Sequence, residues 1–194
     1  MRQRKVAFVV GINNYPNKVF RDLPSSIADA QVVRDELREE GTKVFYAEDC
    51  DVLDFKAEFE KFVNFLRAGD SAILYFAGHG VEFKNMNRLV MSSRNPNGIT
   101  IWKDSVRLLV LLLEIARKRT RINVVIMNCC RDPVYKHTET TGLRRLNTKK
   151  KDNTGFHAVK DTLLSFACAP EDPALDSHGQ GKRHQNFASS CVMP

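Results

Sequence analysis

Two segments of the sequence carry residue types that can perform nucleophilic hydrolysis. His79 lies in Gly78-His79-Gly80, and Cys130 lies 51 residues further along, in Asn128-Cys129-Cys130-Arg131. A thiol with a pKa near ~8.5 is only slightly ionised at neutral pH, and a nearby imidazole lowers that pKa or passes the proton to a leaving amine. The pair therefore suits thiol hydrolysis. The backbone N–H groups of Gly80 and Cys130 are candidate donors to the oxyanion of a tetrahedral intermediate.

The elements that must position these residues follow from the apolar pattern. Short apolar runs, typical of strands buried on both faces, alternate with amphipathic segments of helical period. The predicted strands are Val6–Val10, Val44–Ala47, Ala72–Ala77, Ile122–Met127 and Thr162–Cys168, with a small hairpin arm at Arg88–Met91. Three helices are predicted. The first begins at Ser25 or Ser26 and ends near Glu39, and the other two cover Asp54–Arg67 and Lys103–Arg119. This alternation predicts an α/β fold in three layers, α/β/α, with a mostly parallel sheet.

The sheet is expected to bring the two segments together. The functional crevice of a parallel sheet lies at the carboxyl ends of its strands, and strands that follow one another along the chain are usually neighbours. His79 and Cys130 each come just after a predicted strand. We therefore expect them about one strand spacing (~4.8 Å) apart at one rim.

Charge is distributed unevenly along the chain. The 194 residues carry a net charge of +7, but residues 117–151 hold 11 basic residues against 2 acidic ones, whereas residues 1–116 are neutral overall. The length predicts one domain over residues 1–194, with a basic exposed loop or linker at 132–160. Because the charge is segmental and aromatic residues beyond Tyr135 are not interleaved with it, nucleic-acid binding ranks low.

Cysteine usage and hydropathy indicate a cytoplasmic protein. The five cysteines are odd in number and lack scaffold spacing, which is unlike a disulfide framework. The longest apolar stretch, Leu108–Leu113, is far shorter than the ~20 residues that span a bilayer. Adjacent cysteines are poor partners for a tetrahedral metal, and the Glu48-Asp49-Asp51 cluster is expected to be a solvated strand end, so no metal or other cofactor is predicted.

Several motifs together resemble the caspase-like cysteine peptidases, and the paracaspase and metacaspase branches more than the true caspases. They are Lys5–Tyr15 (KVAFVVGINNY), Ala28–Ala30 (ADA), Tyr75–Gly80 (YFAGHG) and Val124–Asp132 (VVIMNCCRD), and the resemblance runs from Lys5 to Phe187. It implies a caspase-like p20-type domain that cleaves proteins or peptides with a Cys/His dyad. The family pattern places Arg or His after the nucleophile and a polar residue two before it, which selects Cys130 and makes Cys129 a packing residue.

The resemblance also implies a specificity. The paracaspase and metacaspase branches have an acidic first pocket that accepts Arg or Lys, and the matching positions are Asp29, Asn128 and Asp176, with Asn128 replacing the third acid. Cleavage after Arg or Lys with reduced discrimination is the prediction. The basic segment that contains Arg144-Arg145 is then either a site of self-cleavage or a solvated loop with no role.

The chief alternative is a catalytically weak or inactive scaffold. Caspase-like domains normally continue beyond the segment that matches Gln185–Phe187, with a further helix pair, a sixth strand and often a dimer interface, whereas this sequence stops at Pro194. We therefore expect the C-terminal part of the fold to be truncated. A homodimer through the uncovered C-terminal edge of the sheet is then possible, because an open edge invites pairing.

Overall fold

Strands and helices alternate over residues 5–83, as the apolar pattern predicts. A computed structural model describes residues 3–16, 20–83, 86–93, 103–130, 143–145 and 159–166. Within these residues the elements are, in order, β1 (Lys5–Gly11), α1 (Ser26–Glu39), β2 (Lys43–Glu48), α2 (Val52–Phe65), β3 (Ser71–Phe83), β4 (Met86–Val90), β5 (Ser105–Arg107), α3 (Leu108–Arg117), β6 (Ile122–Cys130), β7 (Leu143–Arg145) and β8 (Thr162–Phe166).

Five of the strands form a parallel sheet. Hydrogen-bonded neighbours follow one another in the order β2-β1-β3-β6-β8, and every pair in that series is parallel. A second, antiparallel group is built on the far end of β3, which pairs with β4 and β7, while β4 also pairs with β5. Strand β3 therefore belongs to both groups and joins them.

Helices cover both faces of the parallel sheet. Val6, Phe8 and Val10 of β1 pack into a large core shared with the buried faces of α2 and α3. The alternate residues, Ala7 and Val9, pack into a smaller core with α1. Because successive side chains of a strand point to opposite faces, this division places α1 on one side and α2 and α3 on the other. The α/β/α prediction is confirmed for the described residues.

Close packing of α1 on β1 depends on Gly11. A Cβ added at Gly11 would lie 2.8 Å from the Ser26 carbonyl oxygen and 2.9 Å from both Ile27 Cα and Ala30 Cβ. These are atoms of the helix itself, so a larger residue would displace the whole of α1. The missing side chain thus sets how near the first turn of α1, which carries Asp29, comes to the sheet.

Helix α2 begins two residues earlier than the sequence predicts. The Asp51 carboxylate accepts hydrogen bonds from the backbone N–H groups of Leu53 (2.9 Å) and Asp54 (3.0 Å), which is an N-cap that starts the helix at Val52. The helix ends at Phe65, where the backbone becomes extended at Leu66. Its phenylalanine stripe packs on Phe8, with ring centroids 5.4–5.8 Å apart, so the stripe is core as expected.

The predicted ends of β3 and β6 and the predicted start of α3 are wrong, in each case because of strand pairing. Strand β6 continues past Met127 to Cys130, and β3 past Ala77 to His79, because they pair with each other. Beyond His79, pairing with β4 extends β3 to Phe83. The predicted helix over Lys103–Arg119 begins only at Leu108, because Ser105–Arg107 pairs with β4 as a strand. The hairpin arm predicted at Arg88–Met91 is confirmed as β4.

Two further predictions fall partly outside the described residues. The last predicted strand is observed as Thr162–Phe166, and positions 167 and 168 lie outside the described part of the chain. Within the predicted basic loop at 132–160, residues 143–145 form β7, and 132–142 and 146–158 are not described. No helix of the described residues combines the length and apolar character needed to cross a membrane.

Candidate active site

The parallel pairing of β3 with β6 brings His79 and Cys130 side by side. Their Cα atoms are register partners, and they form the last pair of that ladder, at the carboxyl end of the sheet. Register partners on adjacent strands lie about one strand spacing (~4.8 Å) apart. The predicted juxtaposition of these two positions is therefore present in the backbone.

The His79 imidazole is held in an aromatic pocket. The side chain is buried, with 2% of its surface exposed. The Tyr15 ring lies 4.6 Å away in an edge-on arrangement, and the Phe20 ring lies 5.0 Å away. Because two aromatic side chains pack against the imidazole, it can adopt few orientations, and its plane is fixed before any substrate binds.

A backbone carbonyl decides which imidazole nitrogen carries the proton. His79 Nε2 lies 2.8 Å from the Arg21 carbonyl oxygen. A carbonyl oxygen can only accept, so Nε2 donates, and Nδ1 is the basic nitrogen of the neutral ring. A group that must take a proton from a thiol needs one unprotonated nitrogen and one anchored N–H, and this arrangement supplies both.

Tyr15 anchors the backbone of His79 as well as its ring. The Tyr15 hydroxyl oxygen accepts the His79 backbone N–H at 2.9 Å and lies 3.5 Å from the Val90 carbonyl oxygen. This approach requires Gly78, where an added Cβ would lie 2.9 Å from the Tyr15 hydroxyl and 2.8 Å from the Phe76 ring. One glycine next to the histidine therefore makes room for the tyrosine that positions it.

The loop that carries Tyr15 is fixed from the end of β2. The Asp49 carboxylate accepts the backbone N–H groups of Asn13 (2.7 Å) and Asn14 (2.9 Å), and the Asn14 side-chain amide as well. Asp49 itself adopts a left-handed conformation with φ of 41°, which is uncommon outside glycine. The Tyr15 N–H is bound in turn by Asp22 at 2.7 Å. The sequence predicts that Asp49 belongs to a solvated strand end. In the structure its carboxylate organises this loop.

We expect Tyr15→Phe to lower activity more than its effect on stability would suggest. The variant keeps the ring and removes the acceptor of the His79 N–H, which should lower the free energy of unfolding by about 1 kcal/mol. Because the histidine backbone is then less well positioned, kcat should fall ~10-fold with KM little changed. Thermal unfolding and steady-state kinetics measure the two effects. Unchanged kcat would contradict the positioning role.

A second cluster joins Asp29 to Asn128. The Asn128 side-chain amide nitrogen lies 3.1 Å from the Asp29 carboxylate and 3.3 Å from the Tyr75 hydroxyl. Asp29 lies in the first turn of α1, where the helix dipole stabilises a negative charge. The Asn13 side chain supports that turn by accepting the Ile27 N–H at 2.8 Å, whereas the N-cap residue Ser25 makes no capping bond with its side chain. Two of the three predicted pocket residues therefore meet, and Asp176 lies outside the described residues.

The other cysteines of the described region are buried. Cys129 has 3% of its surface exposed and belongs to the large core, as a packing residue should. Cys50 is also buried, and loss of solvation raises the pKa of its thiol to about 12. Both therefore differ from a reactive thiol, which needs access and a lowered pKa.

We expect iodoacetamide at neutral pH to leave Cys50 and Cys129 unmodified in the folded chain. The thiolate is the reacting species, and burial keeps the Cys50 thiol protonated at that pH. Peptide mapping by mass spectrometry, before and after unfolding in guanidinium chloride, gives the readout. Both sites should be modified only after unfolding. Rapid labelling of Cys50 in the native chain would contradict this description of its environment.

Gly80, a candidate oxyanion donor, pairs in register with Leu89 of β4, and its role stays a prediction. Among the described residues, no group of three or more His, Cys, Asp or Glu side chains is arranged to hold a metal ion. Phe20 and the Arg21 carbonyl, which hold the His79 ring, are not predicted from the sequence. A backbone oxygen cannot be identified from residue type, whereas Tyr15 belongs to the Lys5–Tyr15 motif and could have been identified from the sequence.

Comparison with known proteins assigns the family. The caspase domain model matches residues 4–185, so the chain belongs to the caspase domain family of cysteine peptidases. The sequence matches none of the curated proteins. The family resemblance and the α/β fold expected from the sequence are thereby confirmed, whereas the match does not decide between branches of the family.

A similar fold is found in a solved structure at low sequence identity. Protein GSU0716 from Geobacter sulfurreducens is similar with a TM-score of 0.51 and 16% identity, over 66% of this chain and 50% of that one. The Drosophila initiator caspase Dronc gives a TM-score of 0.45 and 12% identity, over 63% of this chain and 47% of that one. The aligned regions thus cover about half of each of these two structures.

Proposed function

We propose that this chain is a cysteine endopeptidase in which Cys130 is the nucleophile and His79 the general base and acid. The observation that supports it most is the register pairing of His79 with Cys130, together with the Nε2 bond to the Arg21 carbonyl. That bond keeps Nδ1 basic and limits rotation of the ring. Caspase domain peptidases act on proteins, so the substrate class is a protein or peptide chain.

The chemistry follows from these roles. Nδ1 of His79 takes the thiol proton of Cys130, and the thiolate attacks the carbonyl carbon of the scissile peptide bond. The backbone N–H groups of Gly80 and Cys130 donate to the oxyanion that forms. The imidazolium then gives its proton to the leaving amine, and water hydrolyses the acyl-thioester to return the free thiol. Each proton that the imidazole accepts is thus returned within the cycle.

We further propose that the residue before the cleaved bond is Arg or Lys. Asp29 supplies a carboxylate held by Asn128, and a carboxylate pairs more strongly with a guanidinium than with any neutral side chain. An asparagine at position 128 avoids a like-charged neighbour and contributes no second negative charge. The pocket then has two acids, Asp29 and Asp176, instead of three. Its discrimination against neutral residues should therefore be weaker than that of a pocket with a third acid at position 128. Basic specificity would place the chain near the paracaspase and metacaspase branches.

A peptide panel with an Asp29→Asn variant tests this specificity. Fluorogenic peptides that differ only in Arg, Lys, Gln or Asp before the cleaved bond should rank Arg and Lys first. Loss of one charge-assisted hydrogen bond costs about 1.5–3 kcal/mol, so Asp29→Asn should lower kcat/KM for the Arg peptide ~10- to 100-fold and leave the Gln peptide nearly unchanged.

Asp35→Asn is the matched control for that experiment. Asp35 lies on the same helix as Asp29, but it is exposed and pairs with Arg34 at 2.7 Å. The hydrogen bond to Arg34 lowers the pKa of the Asp35 carboxyl, so this acid is charged at neutral pH. Removing this remote charge should leave the panel unchanged. A preference for Asp before the cleaved bond would overturn the proposed specificity, and no hydrolysis by the folded wild type would favour a scaffold.

A further inference from the structure

The far end of β3 pairs on both of its edges beyond His79. Tyr15, on the loop after β1, contacts both the His79 N–H of β3 and the Val90 carbonyl of β4. That contact puts β4 on the β1 side, so β7 occupies the β6 side. Along this one edge, β3 pairs with β6 as far as His79 and with β7 from Val81 onward.

Strand β7 approaches the dyad in a defined direction. It runs antiparallel to β3, with Leu143 opposite Phe83, Arg144 opposite Glu82 and Arg145 opposite Val81. The chain therefore advances along the edge toward His79, and it reaches Arg145 only two register positions away. The register pairs the position of an acidic residue with that of a basic one at the centre of the ladder, and cross-strand pairs of opposite charge favour strand pairing.

The pairing is also short. Strand β7 has three residues, so it gains few backbone hydrogen bonds for the residues that it orders. A strand edge whose occupant is held weakly can exchange that occupant for another extended segment. Main-chain bonds then give affinity, and charge opposite Glu82 gives preference.

We propose that the edge of β3 from Gly80 to Phe83 binds an extended basic peptide by strand addition, and that β7 occupies it as an internal copy of that peptide. The occupant is a segment of the type Leu-Arg-Arg, antiparallel to β3. The choice of a basic peptide rests on the proposed function, whereas the pairing itself does not depend on catalysis.

Peptide binding to a chain that cannot cleave tests the proposal. The protein is the 194-residue chain carrying Cys130→Ala, and the probe is fluorescein-labelled Thr-Gly-Leu-Arg-Arg-Leu-Asn, the sequence of residues 141–147. A second protein adds Arg144→Pro, which removes an N–H and disrupts β7. An internal strand competes at an effective concentration near millimolar, so releasing it should tighten the peptide Kd at least ~10-fold.

Two probes separate strand addition from charge attraction. The same peptide with alternate N-methylated amides keeps its charge but cannot pair, and it should bind at least ~10-fold more weakly to the Arg144→Pro protein. Thr148→Pro, outside β7, is the control substitution and should leave the Kd unchanged. Equal Kd for the parent and Arg144→Pro proteins, or equal binding of both peptides, would overturn the proposal.

Hydrogen exchange provides a second readout that survives misfolding of one variant. The Glu82 amide lies on the β7 side of β3, because the N–H groups of His79 and of every second residue after it lie on the Tyr15 side. This amide should be protected in the parent, lose protection in Arg144→Pro, and regain it when the peptide is added. If Arg144→Pro unfolds by circular dichroism, the triple change Leu143→Gly, Arg144→Ser and Arg145→Gly replaces it. Unchanged exchange in a folded variant would overturn the proposal. Because every protein carries Cys130→Ala, a wild type that fails to cleave would refute the proposed function and leave this result standing.

Discussion

Cys130→Ala and His79→Ala should each lower the hydrolysis of an Arg peptide at least ~10³-fold in kcat, because the nucleophile and its base act as one unit. The double variant should be about as inactive as either single variant, since removing the second member of a broken dyad costs little more. Burst-phase titration with an active-site alkylating agent should label the wild type once and leave Cys130→Ala unlabelled.

Cys129→Ala is the matched control for this prediction. It removes the neighbouring thiol of the same strand, but one that packs in the core at register position Gly78 rather than His79. The variant should retain kcat within ~3-fold while losing about 1 kcal/mol of stability, as expected for a small deletion from a core. An inactive, folded Cys129→Ala together with an active Cys130→Ala would reverse the assignment.

Gly78→Ala should produce the largest effect of any change outside the dyad. The new Cβ would lie 2.8 Å from the buried Phe76 ring and 2.9 Å from the Tyr15 hydroxyl, so both must shift. Overpacking a core of this kind costs about 1–3 kcal/mol. Because this shift moves the Tyr15 ring as well as its hydroxyl relative to His79, kcat should fall by ~10²-fold, more than when the hydroxyl alone is removed. Chemical denaturation and steady-state kinetics measure the two losses.

A double variant shows whether the tyrosine transmits that effect. Tyr15→Phe removes one of the two atoms that the added Cβ would meet and also removes the bond that Gly78→Ala disturbs. The two changes should therefore be less than additive in log kcat, as neighbours with a shared partner usually are. Full additivity would mean that Gly78 acts only through the core, and wild-type kinetics in a folded Gly78→Ala would contradict the close approach.

The sequence predicted the centre of the fold because the strongest patterns lie there. The run at Val6–Val10 has no polar interruption, which identifies a strand buried on both faces. Sequential strands are usually neighbours, and this rule correctly placed the positions of His79 and Cys130 side by side. These are local or topological signals that need no knowledge of the partner strand.

The strand ends were missed because their pairing is not local. Gly78-His79-Gly80 has low strand propensity, yet β6 pairs with Gly78 and His79, and β4 pairs with Gly80, so this part of β3 is held extended. For the same reason Ser105–Arg107 is a strand rather than the first turn of a helix, since β4 supplies its partners. The Arg21 carbonyl has no residue-type signature at all.

The membership of β3 in two sheets has a consequence for how this chain can evolve. A strand whose near half is paired to β1 and β6 and whose far half is paired to β4 and β7 cannot slide, because a shift that satisfies one ladder breaks the other. Deleting or inserting one residue between Ser71 and His79 would shift the histidine by one position along the strand. Because successive side chains point to opposite faces, the imidazole would then lie on the opposite face of the sheet. Length in this stretch is therefore as constrained as the identity of His79.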